Sequence, residues 1–189
     1  MTEIKAYWKS IQIPTTSDAG HQQATGHRDV AALIRAQRSN HAESMAKLQL
    51  QWITLSACRN TEAQLIKHSE INLDEMTWTI PAERRKAAQN HVVPITKGMA
   101  ELLLAAAKQQ PALADYVFVT QGSLLQAAKC PAATGIRAAF REWATAEAKF
   151  PLELVHAQLG HGPSTVEAAY SCRRMMEAWA AHLMGGANV

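Results

Sequence analysis

Leu159-Gly160-His161-Gly162-Pro163-Ser164-Thr165-Val166-Glu167-Ala168-Ala169-Tyr170 is the stretch on which the reading of this chain turns. It joins two short predicted helices, 151–159 with Pro151 at its start and 164–171. It sets a histidine and a tyrosine nine positions apart (170 − 161). Working outward, Arg137 and Arg59 lie upstream, with Lys86 between them. Two arginines, a histidine, a lysine and a tyrosine are the side-chain types needed to break a phosphodiester without a metal. Arginine forks hold the phosphate oxygens, and a phenol can attack phosphorus.

The rest of the chain supplies a helical frame. Val30, Leu33 and Ile34 share one face of a predicted helix over 29–37. Met45, Leu48, Trp52 and Leu55 recur at helical steps over 42–58, and a shorter helix is expected over 61–67. The period then changes. Met76 to Ile80 alternates and His91 to Ile95 is rich in valine, so both read as strands, with 83–90 as the hairpin loop and a third short strand at 71–73. Further helices are expected over 97–109, 124–129 (N-capped by Ser123), 135–148 and 173–183, with a short extended piece at 116–119. The fold class is α+β, mostly α, with one small three-stranded antiparallel sheet.

Four segments carry the chemistry. Ala57-Cys58-Arg59-Asn60-Thr61-Glu62 falls where one helix ends and another begins. Arg59 there either projects toward a phosphate or lies in a solvated turn, and Glu62 can orient it or cap the next helix. Thr79-Ile80-Pro81-Ala82-Glu83-Arg84-Arg85-Lys86 precedes His91-Val92-Val93-Pro94-Ile95. Arg84 and Arg85, and equally Lys86, suit a basic hairpin lying on backbone phosphates. Thr134-Gly135-Ile136-Arg137-Ala138-Ala139-Phe140-Arg141-Glu142-Trp143 is the third segment, and the quoted histidine–tyrosine stretch is the fourth.

Together these segments resemble the catalytic domain of tyrosine recombinases, most closely the phage-type and genomic-island integrases. The resemblance implies that Tyr170 is the nucleophile forming a 3′-phosphotyrosyl link. It makes Arg59, Arg137 and His161 ligands of the phosphate, and Lys86 the general acid for the leaving 5′ oxygen. Arg84, Arg85, Lys86 and Arg141 become DNA contacts. Three positions depart from the family pattern. Asn60 and Thr61 replace threonine and glycine of the first signature. Thr134 stands where the family has histidine, and its hydroxyl cannot accept and return a proton near neutral pH as imidazole does.

The resemblance covers about residues 28 to 184. Residues 1–26 are polar and aperiodic and read as a flexible arm, and 27–189 as the catalytic-type domain. The N-terminal helical domain with which that family clamps the other face of DNA is not expected in so short an arm. Double-stranded DNA is the expected partner, with self-association on DNA through the C-terminal helix, whose Met175, Trp179 and Leu183 could equally pack in cis. A cytoplasmic, nucleoid-associated protein of bacterial or phage origin follows from the same resemblance.

Composition sets limits. The chain has 189 residues, 48% of them apolar, and a formal charge of +3, so any DNA-binding charge must be gathered on one face. No apolar run reaches the roughly 18 residues of a membrane span. Cys58, Cys130 and Cys172 form no CxxC pair and read as buried hydrophobes or free thiols. His156 and His161 are five apart (161 − 156), wrong for a helical zinc pair, so neither metal nor cofactor is expected. Two other functions stay open: a catalytically silent DNA-binding module descended from an integrase, and a relaxing topoisomerase of similar chemistry.

Overall fold

The computed structural model describes residues 26–39, 44–109, 115–118, 131–162 and 165–185. The arm expected over 1–26 (Gly26 apart), the helix over 124–129 and Cys130 lie outside the described residues. Helix α1 (His27–Ser39) turns Val30, Ala31 and Ile34 inward. Helix α2 (Met45–Ser56) starts at Ser44, whose hydroxyl accepts the Lys47 N–H at 3.4 Å. The sequence period predicts one buried face here. Instead the helix is buried on all sides, Gln49, Gln51, Thr54 and Ser56 included, and is the central strut of the molecule.

The end of α2 is shaped by side chains. Ser56 Oγ donates to Trp52 O at 2.7 Å and accepts the Cys58 N–H at 3.3 Å. Ala57 then takes the left-handed conformation, φ 51°, that stops the helix. Helix α3 (Asn60–Gln64) begins at once. Thr61 is inside it, with helical backbone. The missing glycine of the first signature therefore forces no strain at that position.

Strands β1 (Ile71–Asn72), β2 (Thr77–Ile80) and β3 (His91–Pro94) form an antiparallel meander in that order. The register pairs Trp78 with Val93 and Ile80 with His91. Trp78, Ile80, Val93 and His91 are all buried, so the imidazole occupies a core position beside the apolar ones. A single 3₁₀ turn, Ala82–Arg84, follows β2. Tyr116 bridges Lys67 in an isolated antiparallel pair.

Helix α4 (Lys97–Gln109) packs on α2. Helix α5 (Pro131–Glu142) also packs on α2, then widens into a π-helical turn over Trp143–Glu147, closed by Ala148 N–H to Trp143 O at 2.8 Å. The expected single helix over 135–148 is thus an α-helix with a π end. Helix α6 (Leu152–Gln158) precedes the quoted stretch.

Two elements expected over 164–171 and 173–183 are one helix, α7 (Val166–Met184). Thr165 caps it, accepting the Ala168 N–H at 3.2 Å, and Gly185, φ 79°, ends it. Ala169, Cys172, Met175, Met176, Trp179 and Leu183 form a continuous stripe against the chain's own core, which is why the helix does not break. Trp179 sits 5.1 Å from Trp143 and 5.6 Å from Phe140, and its indole N–H donates to Thr54 O at 2.8 Å. The apolar stripe of the C-terminal helix is therefore spent in cis. Among the described residues no helix is long and apolar enough to cross a membrane.

Candidate active site

The turn that carries His161 is held by three side chains from three elements. The last carbonyls of a helix lack intrahelical partners. Here Gln158 O accepts His91 Nε2–H at 3.0 Å, Leu159 O accepts Arg137 Nη2 at 2.8 Å, and Gly160 O accepts Arg85 Nη2 at 3.0 Å. Arg137 Nη1 also donates to Ala57 O at 2.9 Å, and Gln158 Nε2 to Ser56 O at 2.9 Å. The ends of α2 and α6 are thereby tied together. Gly160 must be glycine: its φ is 70°, and a Cβ there would land on Arg85 Nη2. His161 follows with its N–H donated to His156 O at 2.8 Å and its side chain exposed.

Glu62 is the anion of this cluster, with a side chain only 2% exposed. Its carboxylate accepts the Arg59 N–H at 2.7 Å and Arg59 Nη1 at 2.8 Å, and lies 3.5 Å from Arg85 Nε. Burial alone would raise its pKa. The two bonds from Arg59 and the charges of Arg59 and Arg137 outweigh burial and hold it below the usual carboxylate range. The Arg59 side chain remains 39% exposed in this pairing.

The charge of Arg59 bears on Arg137, and the charges of both bear on His161. Burial, then Arg59, bears against the charge of Arg137, while Glu62 supports it. His161 is pulled down from 6.5 by partial burial first, then by Arg137, Arg59, His156 and Arg141. It stands neutral at pH 7, in positive surroundings that an incoming phosphate would neutralise. His91 is pushed down to about 4 by burial and by Arg85, so it works as a neutral donor to Gln158 O. Burial pushes the Cys58 thiol up to about 12, which keeps it a neutral packing group.

The other sequence-derived residues are placed less uniformly. Tyr170 is exposed on α7, and its ring faces the Arg173 guanidinium at 4.7 Å. Arg173 in turn donates to Glu75 O at 2.7 Å in the β1–β2 turn. Lys86 is exposed in the β2–β3 loop and Arg141 is exposed one helical turn after Arg137. Thr134 lies in α5, three positions before Arg137. Arg84 and Arg85, expected as hairpin contacts to backbone phosphates, are drawn into the protein. Arg84 pairs with Glu70 and donates to Glu62 O at 2.8 Å, and Arg85 is 7% exposed. Both guanidinium groups turn inward because buried carboxylates and free carbonyls await them there. His91 and Gln158 were not singled out from the sequence. Only the pairing of His91 with the core position Ile80 points to the first, and no local signal points to the second.

Comparison with known proteins gives a partial match to an integrase. No protein-family model matches the chain. The chain is similar to Prophage integrase IntZ of Escherichia coli (strain K12), 33% identical over 85 residues, which is 44% of this chain and 21% of the relative. The matched stretch spans about a fifth of that protein's length.

Proposed function

We propose that this chain is a DNA strand-breaking and rejoining domain of the tyrosine-recombinase type, at work in integration or excision of mobile DNA. The observation that supports the reading is that Arg137 holds the turn carrying His161 through Leu159 O, while Arg59 pairs with the buried Glu62 and both guanidinium charges bear on His161. In this reading the two guanidinium groups and His161 take the nonbridging oxygens of one DNA phosphate. Tyr170 attacks phosphorus in line and releases its phenolic proton to water, the 3′ phosphate becomes bonded to its phenolic oxygen, and the 5′ oxygen leaves with a proton from Lys86. Attack by another 5′ hydroxyl reverses the step and exchanges strands. Arg141, exposed beside the cluster, is the remaining DNA contact.

The test is incubation with a pool of nicked suicide duplexes and a denaturing gel. A covalent protein–DNA band, lost in Tyr170→Phe, is expected. A second reading, a silent DNA-binding module, is favoured by Arg137, whose two Nη atoms already donate to Ala57 O and Leu159 O, and by Thr134 at the usual histidine position. It predicts salt-sensitive DNA binding with no covalent band, in the parent and in Thr134→His alike.

A further inference from the structure

Away from this cluster, His27 at the start of α1, Glu147 in the π turn and His182 near the end of α7 meet. His27 Nδ1 lies 3.1 Å from His182 Nε2, His27 Nε2 lies 3.3 Å from Glu147 Oε2, and His182 Nδ1 lies 3.9 Å from Glu147 Oε1. One donor atom from each residue can be chosen so that all three lie within 4.8 Å of one another. We propose that His27, Glu147 and His182 form a site for one divalent ion of the zinc type, which fastens α1 to α7 through the π turn.

Several features support this. Two imidazoles and a carboxylate are the three-ligand set that zinc accepts, with a fourth position left for water. Tetrahedral donors about 2.1 Å from an ion lie about 3.4 Å apart, so the triangle needs to close by roughly an ångström or so. The Glu147 side chain is 35% exposed, which leaves it room to turn. His182 is held in place instead, stacked on Trp179 at 5.6 Å and beside Trp143 at 5.4 Å. The donors at present hydrogen-bond one another, and an ion would replace the shared protons. Finally, the π turn, with its extra residue per turn, carries Glu147 at the histidines while Trp143 stays in the core. The charge of Arg35 also reaches His182, and the Glu147 carboxylate counters it.

The experiment uses the full 189-residue chain, stripped with a chelator, and titrates Zn²⁺ by calorimetry with Co²⁺ absorption as a second readout. Binding of one ion per chain is expected, with a visible Co²⁺ band of low-coordinate type. At a hundredfold excess over Kd the melting temperature should rise by roughly 5–10 °C. His27→Gln and Glu147→Gln, both at the edge of the cluster, should each weaken binding by about tenfold or more. His182→Ala is a poorer probe because it unstacks Trp179. Absence of stoichiometric binding overturns the proposal. So does undiminished affinity in both edge variants, which would assign the ion to other histidines or thiols.

Discussion

Replacing Glu62 by glutamine tests the electrostatic logic of the cluster. The amide keeps the shape but removes the one charge that faces Arg59 and the buried Arg85. Hydrogen bonds to a charged group contribute about 1.5–3 kcal/mol and neutral ones about half as much, so the two bonds from Arg59 weaken by about 1 kcal/mol each. Arg85, with a side chain 2% exposed, then loses its counter-charge, and breaking a buried pair can cost about 3–5 kcal/mol. Because Arg85 keeps its bonds to Gln89 O and Gly160 O, the lower part of that range applies, and a total of about 5 kcal/mol is expected. Urea unfolding at pH 7 measures it directly. The sign with pH is fixed. The folded-state pKa of Glu62 lies below its ordinary 4.5, so its contribution is present above that value and is lost as pH falls toward the folded pKa. The gap between parent and variant should therefore be constant from pH 7 to about 5 and shrink below. A loss under about 1 kcal/mol at pH 7, or a gap that does not narrow in acid, would refute the assignment of Glu62 as the neutralising anion.

Three further outcomes follow from the same geometry. Gly160→Ala combines a left-handed backbone with a collision on Arg85, and thermal melting should show a loss of about 2–4 kcal/mol, a figure near zero being incompatible with the turn described. Trp179→Ala opens the aromatic core and orphans Thr54 O, and denaturant unfolding should register about 3–5 kcal/mol. Protonation of His161 creates a phosphate-binding cation, and its pKa in the free protein is depressed, so DNA affinity measured by fluorescence anisotropy should rise as pH falls and level off only below 6.5. The rise should reach about tenfold, equivalent to roughly 1.4 kcal/mol, and His161→Gln should remove it.

Local pattern was enough for much of the frame. Alternation in Met76–Ile80 and the branched run from His91 located two strands, because a period of two reports directly which side is buried. The helix at Lys97–Gln109 is found at its expected bounds, since its apolar stripe is one-sided. The order of Arg59, Arg137, His161 and Tyr170 along the chain was likewise enough to suggest phosphate chemistry. Where each charge would turn was not legible. Arg84 and Arg85 look alike and solvated in the string of residues, yet Arg84 meets Glu70 from 14 positions away and Arg85 meets Gly160 O from 75. The triangle of His27, Glu147 and His182 spans 155 positions and has no spacing rule at all. Burial stripes are written in neighbouring residues, because one element's geometry makes them. A buried charge is matched by whatever the folded chain brings beside it, and that depends on how distant helices and loops close over one another.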